Sequence, residues 1–357
     1  MLTNSVMINY HEKDYSNNFM EYARAVSKYC RIPDTCTKEK AKYKFDFDKK
    51  ELIENKLISG DDIPETLNFE ISYEKIISDP KNCWIVMIHG FGGDSSSWSY
   101  QISKLLKNNF NVLILDLYGH GNSNFIENVD YDVKLHVFYL NKIIESVTKE
   151  KFFLVGFSYG GIICQLYAKE YQSKLNALIL VSSFSHKDKI FENILSSWQE
   201  TLCLNTNDNN EAYIKKIMYK LTISSIFSSH YIENNSSSLK MLENTYVKKN
   251  YQLILRNEVT HLLNFDSSNF LKDITIPTII ICGVHDKLFS TNISLTLHHS
   301  IKTSKRFIFF SKHASHSLNI EIFSSFNKIL INQLKKIQNN KFRPTKLPFH
   351  VHCETRK

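Results

Sequence analysis

The chain has 357 residues, enough for one large domain or two ordinary ones, and 43% of them are hydrophobic while 22% are charged. This composition is typical of a soluble globular protein with ample core material. The net charge of +8 comes largely from lysines spread among asparagines and serines, without a long basic stripe interleaved with aromatic residues, so we expect no nucleic-acid partner. No apolar run approaches the roughly 18 residues that span a bilayer.

The N-terminal residues show neither a basic region followed by an apolar core nor a small-residue cleavage site, so no secretory signal is predicted. The seven cysteines are an odd number and are scattered, and several lie in or beside apolar runs. We therefore expect reduced, buried thiols in a cytoplasmic protein. No cysteine and histidine cluster has metal-ligand spacing, and we expect no metal and no cofactor.

Residues 1–66 form an N-terminal extension with helix-like material at 18–29 and a charged stretch at 38–56, to which we assign no chemistry. The pattern changes at Leu67. Residues 67–76 alternate apolar and polar side chains, which predicts an antiparallel edge strand. Residues 84–88 are a continuous apolar run that ends in His-Gly-Phe-Gly-Gly, which predicts a central strand followed by a turn.

Strands and helices then alternate along the chain. We predict helices at 101–107, 133–147 and 162–170, and strands at 111–115, 152–155 and 175–181. Strands separated by helices of this length indicate βαβ crossovers and a mostly parallel sheet flanked by helices, an α/β fold.

The alternation breaks between residues 185 and 273, where the pattern is mostly helical with Asn- and Ser-rich interruptions. It resumes with predicted strands at 278–282 and 305–310, and with helices at 291–299 and 318–337. An insertion of this kind predicts a lid over the carboxyl ends of the strands, where open α/β sheets bind their ligands. We thus expect an α/β core of residues 67–184 and 274–337, a helical cap of 185–273 and a basic tail of 338–357.

Ser158 lies in Gly-Phe-Ser-Tyr-Gly, directly after the predicted strand 152–155 and before a helix. Gly156 and Gly160 lack the Cβ atoms that would collide where the chain folds back on itself. Such a turn holds a serine hydroxyl exposed at the end of a sheet, where a base and a substrate can both reach it. We interpret Ser158 as a nucleophile; the alternative is an ordinary turn serine.

A serine hydroxyl needs an imidazole to take its proton, and a carboxylate that fixes the imidazole tautomer. Asp286 lies just past a predicted strand, and His316 lies between the last strand and the last helix. The chain order of Ser158, Asp286 and His316 is the order found in α/β-hydrolases. His313 is an alternative base, and Asp116 is an alternative acid.

Five segments together resemble the α/β-hydrolase fold superfamily, in particular the capped serine esterases and lipases of the monoacylglycerol lipase and lysophospholipase type. The resemblance spans about residues 67–337 and rests on HGFGG at 89–93, DLYGHGNS at 116–123, GFSYGG at 156–161, CGVHD at 282–286 and SHSLNIE at 315–321. The chain has Ser315 where the family often has glycine before the histidine, and Phe289 where proline is common.

The resemblance implies that Ser158, Asp286 and His316 are the catalytic residues, because His316 rather than His313 matches the family's spacing. It implies an oxyanion hole formed by the backbone N–H groups of Phe91 and Tyr159. It further implies that His89 and Asp116 have structural roles, His89 bracing the loop that contains Phe91.

The leading interpretation is a serine hydrolase of lipophilic acyl esters, such as monoacylglycerols or lysophospholipids, because the cap is rich in large apolar and aromatic side chains. An acyl-protein or acyl-coenzyme A thioesterase is the first alternative, and a non-catalytic binding protein of the same fold is the second. The basic tail is interpreted as a disordered end, with weak attraction to an anionic membrane as the alternative. The partner is thus a small-molecule acyl ester.

Overall fold

The structure is a computed structural model that describes residues 30–59, 63, 66–126, 129–204, 210–247, 252–301, 305–310, 314–342 and 349–351. The helix predicted at 18–29 and the alternative base His313 lie outside these ranges. In the described part of the chain, no helix combines the length and the apolar character needed to cross a membrane.

The strands match the predicted alternation closely. They are β1 (Thr37–Asp48), β2 (Ile58–Ser59), β3 (Thr66–Ile77), β4 (Cys83–Ile88), β5 (Phe110–Leu115), β6 (Asp130–Tyr131), β7 (Phe152–Phe157), β8 (Leu175–Val181), β9 (Thr278–Gly283), β10 (Lys305–Phe310) and β11 (Phe349–Val351). The short strands β2 and β6 pair with each other, and the others form one sheet in the order β1-β3-β5-β4-β7-β8-β9-β10-β11.

The sheet is parallel from β5 to β11, which confirms the predicted fold class. Only β1 and β3, at one edge, run antiparallel to their neighbours. The continuous apolar runs of β4, β5, β7, β8 and β9 are buried along nearly their whole length, because helices cover both faces of the sheet.

The prediction of an edge strand at 67–76 is wrong, because β1 pairs with β3 residue by residue and takes the edge position. Charge explains the pairing. Glu74 of β3 accepts ion pairs from Lys38 and Lys40 of β1, with Nζ to Oε distances of 2.7 and 2.8 Å. Successive lysines on one face of β1 therefore neutralise the acidic face of β3, and part of the N-terminal extension belongs to the sheet.

The C-terminal tail also contributes to the sheet. Residues 349–351 form β11, which pairs in parallel with β10 from Ile308 to Phe310. The interpretation of the tail as a disordered end is wrong for these three residues. Residues 343–348 and 352–357 lie outside the described ranges.

The helices are α1 (Lys49–Glu54), α2 (Ser99–Leu106), α3 (Lys134–Val147), α4 (Tyr159–Tyr171), α5 (Lys189–Cys203), α6 (Glu211–Ile226), α7 (Ser229–Asn234), α8 (Ser236–Val247), α9 (Gln252–Asn264), α10 (Thr291–Ser300), α11 (Leu318–Glu321) and α12 (Phe323–Gln338). Within the described residues, short 3₁₀ helices lie at Ser95–Trp98, Gln172–Lys174 and Leu271–Asp273. Helices α2 and α12 pack on one face of the sheet, and α3, α4 and α10 pack on the other.

Helices α5 to α9 occupy the segment between β8 and β9 where the sequence predicts an insertion. Helix α5 begins at an N-cap, because the carboxylate of Asp188 accepts a hydrogen bond of 2.8 Å from the N–H of Phe191. Leu195, Trp198 and Leu255 turn inward from α5 and α9 and join the core that α3 and α4 share with the sheet. The cap is thus packed directly onto the carboxyl ends of the strands.

Candidate active site

Ser158 follows β7 and precedes α4, in a backbone conformation that side chains rarely adopt. Its φ is 51° and its ψ is −115°. A Cβ on Gly160 would lie 2.4 Å from the carbonyl oxygen of His89, and a Cβ on Gly156 would lie 2.5 Å from that of Gly160. These contacts with backbone atoms require glycine at both positions, so the strained turn and the sequence motif have one physical cause.

His316 and Asp286 are brought together from segments thirty residues apart. The Nδ1 of His316 lies 2.9 Å from Oδ2 of Asp286. The other oxygen, Oδ1, accepts hydrogen bonds of 2.9 Å from the backbone N–H groups of Leu288 and Phe289. Because the carboxylate oxygen can only accept, Nδ1 carries a proton, and Nε2 is the ring nitrogen that can take one up.

The end of β8 holds the serine turn and the histidine segment next to each other. The N–H of Ser158 donates to the carbonyl oxygen of Val181 over 2.9 Å. The hydroxyl of Ser182, one residue further, donates to the carbonyl oxygen of His316 over 2.7 Å. In addition, the ring of Phe157 lies 5.2 Å from the imidazole of His316, measured between centroids. The sheet therefore places the nucleophile candidate and the base candidate next to each other at the carboxyl ends of its central strands β7 and β8.

The loop of residues 89–93, called here the 89–93 loop, is braced by His89. The His89 Nε2 accepts from the N–H of Leu117, and its Nδ1 donates to the carbonyl oxygen of Gly90, both over 2.9 Å. Burial, reinforced by the nearby His120, lowers the pKa of His89, so its ring is neutral as this pattern requires. In the same loop, the ring of Phe91 stacks on Trp198 of the cap at 5.0 Å.

The backbone segments that carry Phe91 and Tyr159 are in close contact. The carbonyl oxygen of His89 lies against Gly160, so closely that no Cβ fits between them. Tyr159 is the first residue of α4, and its N–H is one of the groups at a helix start that have no acceptor within the helix. The fold therefore places the 89–93 loop beside the start of α4.

The alternative acid Asp116 has other surroundings, and so have His285 and Asp266, two further titratable residues that also need to be considered as base and acid. Both oxygens of Asp116 accept from backbone N–H groups, those of Ser95 and Asn122, each over 2.9 Å. Its role is thus to tie two loops together. His285 is exposed, and Asp266 is an exposed residue whose carboxylate accepts from the N–H of Ser268.

Two carboxylates that the sequence interpretation passed over connect the cap to the site. Glu321 is the last residue of the SHSLNIE segment, and the segment by itself does not indicate a role for it. Its Oε1 accepts from the N–H of Ser228 in the cap at 2.8 Å, and its Oε2 accepts from the N–H of Ser315 at 3.3 Å. Glu258 lies in α9 and is completely buried. The helical pattern of α9 contains no motif that could have singled it out.

Burial raises the pKa of Glu321 to about 7, although the N–H donors of Ser228 and Ser315 oppose this shift. Between pH 4.5, the ordinary pKa of a glutamate, and about pH 7, the carboxyl group of Glu321 binds its proton more tightly in the folded protein than in the unfolded chain. The contribution of Glu321 to the free energy of unfolding is thus fully present below pH 4.5 and is lost as the pH rises through 7.

We expect the free energy of unfolding of the wild type, measured relative to Glu321→Gln, to fall by about 3 kcal/mol at most across this range. Glutamine does not titrate, so the difference isolates this one group. Urea unfolding of both proteins at a series of pH values gives the measurement. A difference that stays constant with pH would contradict the prediction.

The fold and the site geometry agree with a family assignment. The chain matches the α/β-hydrolase fold family over residues 84–321, and it belongs to that family. The match covers the 89–93 loop, the serine turn, the cap, Asp286 and His316.

Relatives of this chain include hydrolases with different substrates. The chain is 29% identical to the pimeloyl-[acyl-carrier protein] methyl ester esterase of Wigglesworthia glossinidia brevipalpis over 217 residues. This match covers 58% of this chain and 77% of that protein. It is 23% identical over 278 residues to the proline iminopeptidase of Thermoplasma volcanium, covering 74% and 93%. In structure it resembles the enol-lactonase from Burkholderia xenovorans LB400, with a TM-score of 0.65, 19% identity, and coverage of 75% and 97%. The fold and a hydrolase activity are thus shared, while the bond that is cleaved varies.

Proposed function

We propose that the chain is a serine hydrolase of carboxylic esters in which Ser158, His316 and Asp286 form a catalytic triad. The hydrogen bond between Asp286 and His316 carries this proposal, because it occupies Nδ1 and leaves Nε2 as the nitrogen that can accept a proton, at the carboxyl ends of the strands where Ser158 lies. The strained conformation of Ser158 supports the same role. The kinship with esterases is consistent with it.

The proposed mechanism has two steps that use the same base. His316 Nε2 takes the proton of Ser158 as Oγ attacks the ester carbonyl carbon. The N–H groups of Phe91 and Tyr159 donate to the oxyanion of the tetrahedral intermediate. His316 then protonates the leaving alcohol, and the acyl-enzyme is hydrolysed by a water molecule that gives its proton to the same imidazole.

Apolar side chains around the site support an acyl substrate with a long chain. The ring of Phe289 lies 4.9 Å from the imidazole of His316, and it packs on Phe191 and Phe184 at 4.8 and 5.0 Å. These rings are buried where α5 of the cap meets the core, and they offer no charged group to a substrate. We therefore propose lipophilic acyl esters, such as monoacylglycerols or lysophospholipids, as the substrate class.

A panel of esters tests this proposal. Each methylene that moves from water into an apolar site contributes about 0.8 kcal/mol, so four methylenes can raise kcat/KM by up to about two-hundredfold. We expect kcat/KM to rise at least tenfold, roughly, from butyryl to octanoyl esters of glycerol and of p-nitrophenol. An acetyl ester or a prolyl amide as the best substrate would contradict the lipophilic assignment, while leaving the triad in place.

A thioesterase remains the alternative, because a thioester passes through the same oxyanion intermediate. One relative acts on an ester whose acyl group is attached to an acyl-carrier protein, as its name states. Oxygen and thio esters of the same octanoyl group, measured side by side, separate the two activities.

We also propose a cytoplasmic location, with or without membrane contact. Only the amino-acid sequence supports it, through the scattered cysteines and the lack of a predicted secretory signal.

A further inference from the structure

Helix α9 of the cap contacts the 89–93 loop through a buried carboxylate. Oε2 of Glu258 accepts a hydrogen bond of 3.0 Å from the N–H of Gly92. Gly92 has a φ of +60°, a conformation in which a side chain would be strained, and a Cβ there would contact Leu255 of the same helix at 3.2 Å. The peptide group that follows Phe91 is therefore held in one orientation by α9.

A second contact keeps this carboxylate in place. Nε2 of His120 lies 3.5 Å from Oε2 of Glu258, and both side chains are completely buried. Nδ1 of His120 donates to the carbonyl oxygen of Tyr118 over 3.0 Å, which orients the ring. Burial is the largest influence on the pKa of His120 and would lower it, but the carboxylate of Glu258, together with the carbonyl of Tyr118 and the nearby Asp116, raises this pKa overall. The pair thus joins the cap to the core through two buried side chains.

The same face of α9 contacts the serine turn one helical turn further on. His261 lies three residues after Glu258, so the two side chains point in similar directions. Nδ1 of His261 lies 2.7 Å from the hydroxyl of Tyr159, and its Nε2 donates to the carbonyl oxygen of Tyr131 over 2.6 Å. Because Nε2 is the donor, Nδ1 of the neutral ring accepts from the Tyr159 hydroxyl.

The hydroxyl of Tyr159 is part of a continuous chain of hydrogen bonds. It accepts from Nε2 of His136 over 3.1 Å, and Nδ1 of His136 in turn accepts from the hydroxyl of Tyr139. The Tyr139 hydroxyl accepts from the N–H of Tyr118 over 3.1 Å. Burial lowers the pKa of both His136 and His261, so the two rings are neutral and every donor in the chain has one acceptor. A network of hydrogen bonds in which every donor and acceptor has a partner is rigid.

We propose that Glu258 and His261 are positioning residues for the oxyanion hole, each setting one of its two N–H donors. Glu258 holds the peptide next to Phe91, and His261 holds the side chain of Tyr159. The cap therefore completes the reaction site and does more than cover it. This inference rests on the proposed function, because it assigns roles within the same site.

Substitutions at Glu258 test the first donor. Glu258→Gln keeps an oxygen that can accept from Gly92, whereas Glu258→Leu removes it at similar volume. We expect kcat on an octanoyl ester to fall about tenfold or more in Glu258→Leu, with KM changed less than about twofold, and most of kcat to return in Glu258→Gln. Thr260→Ala, at an exposed position of the same helix, is the control and should keep full activity.

A transition-state analogue distinguishes positioning from general damage to the fold. A trifluoromethyl ketone with the same acyl chain places an oxyanion in the hole after attack by the serine. Its inhibition constant should rise in Glu258→Leu by the factor by which kcat/KM falls, because both depend on the same donors. A raised KM with unchanged kcat, or an unchanged inhibition constant, would overturn the proposal. If Glu258→Leu does not fold, Glu258→Ala takes its place as the variant without an acceptor. A lower kcat and a higher inhibition constant than in Glu258→Gln support the proposal, and values equal to those of Glu258→Gln overturn it.

The second donor is tested from both ends of one hydrogen bond. Tyr159→Phe and His261→Phe each remove the contact between Tyr159 and α9 and leave the backbone N–H of residue 159 in place. We expect each to lower kcat by about threefold to tenfold, and the double variant to lose no more than the larger single effect. Additive losses would show that the two side chains act separately. An inactive wild type would instead refute the proposed function, so the two failures are distinguishable.

Discussion

Ser158→Ala is expected to lower kcat for ester hydrolysis by about 10⁶-fold, the scale of loss when a serine triad loses its nucleophile. The reason is chemical. Without Oγ there is no atom on which the acyl group can be held, and His316 has no proton to accept. Hydrolysis of an octanoyl p-nitrophenyl ester gives the rate, and a fluorophosphonate probe reports whether a nucleophile remains.

The fold should survive this substitution. Alanine at residue 158 meets the same backbone strain as serine, and the hydrogen bond from its N–H to Val181 is a backbone bond that the change does not touch. Thermal unfolding should therefore be close to that of the wild type. Ser197→Ala, at an exposed position of α5, is the matched control and should keep both activity and labelling. Full labelling of Ser158→Ala would identify a different nucleophile and end the assignment.

Asp286→Asn is expected to lower kcat by about 10⁴-fold, as loss of tautomer control does in a serine triad. Oδ1 of Asp286 accepts from the backbone N–H groups of Leu288 and Phe289, so the carbonyl oxygen of asparagine will occupy that position. Its NH₂ group must then face Nδ1 of His316 as a donor. The imidazole would shift its proton to Nε2, and Nε2 could no longer take the proton of Ser158.

The control for this substitution is Asp266→Asn, an exposed carboxylate of the cap, which should leave kcat unchanged. A loss below about tenfold in Asp286→Asn would mean that another acid serves His316. Structural damage can be separated from the loss of tautomer control by fluorophosphonate labelling. The labelling rate should fall in parallel with kcat, while the thermal midpoint stays near that of the wild type.

Much of the fold follows from local patterns that sequence reasoning can identify. The strands β4, β5, β7, β8 and β9 are continuous apolar runs, and each ends in glycine or polar residues within one or two positions of the predicted bound. Long helices such as α3 and α12 are also predictable, because their apolar residues recur with the helical period along the sequence. The serine turn was identifiable because Gly156 and Gly160 are needed by contacts with nearby backbone, so the motif and the geometry coincide.

Long-range pairings could not be found in this way. The residues of β1 resemble a charged, unstructured stretch when they are considered alone. They form a strand because they pair with β3, whose Glu74 lies 36 residues after Lys38 and accepts an ion pair from it. Likewise, three residues of the tail pair with β10 although nothing in their own sequence requires a strand. In both cases the partner strand, and not the local sequence, decides the structure.

The sequence by itself determined the order of Ser158, Asp286 and His316, the turn that carries the serine, and the location of the cap between two strands. The expectation that this turn exposes the serine is wrong, because Ser158 is buried, with 6% of its surface exposed. Only the tertiary structure decided what the cap does there. Glu258 reads as an ordinary polar residue of an amphipathic helix, and Glu321 as a residue near a helix start. Each becomes a contact to the site because a buried carboxylate must find N–H donors, and the fold alone determines which donors are within reach.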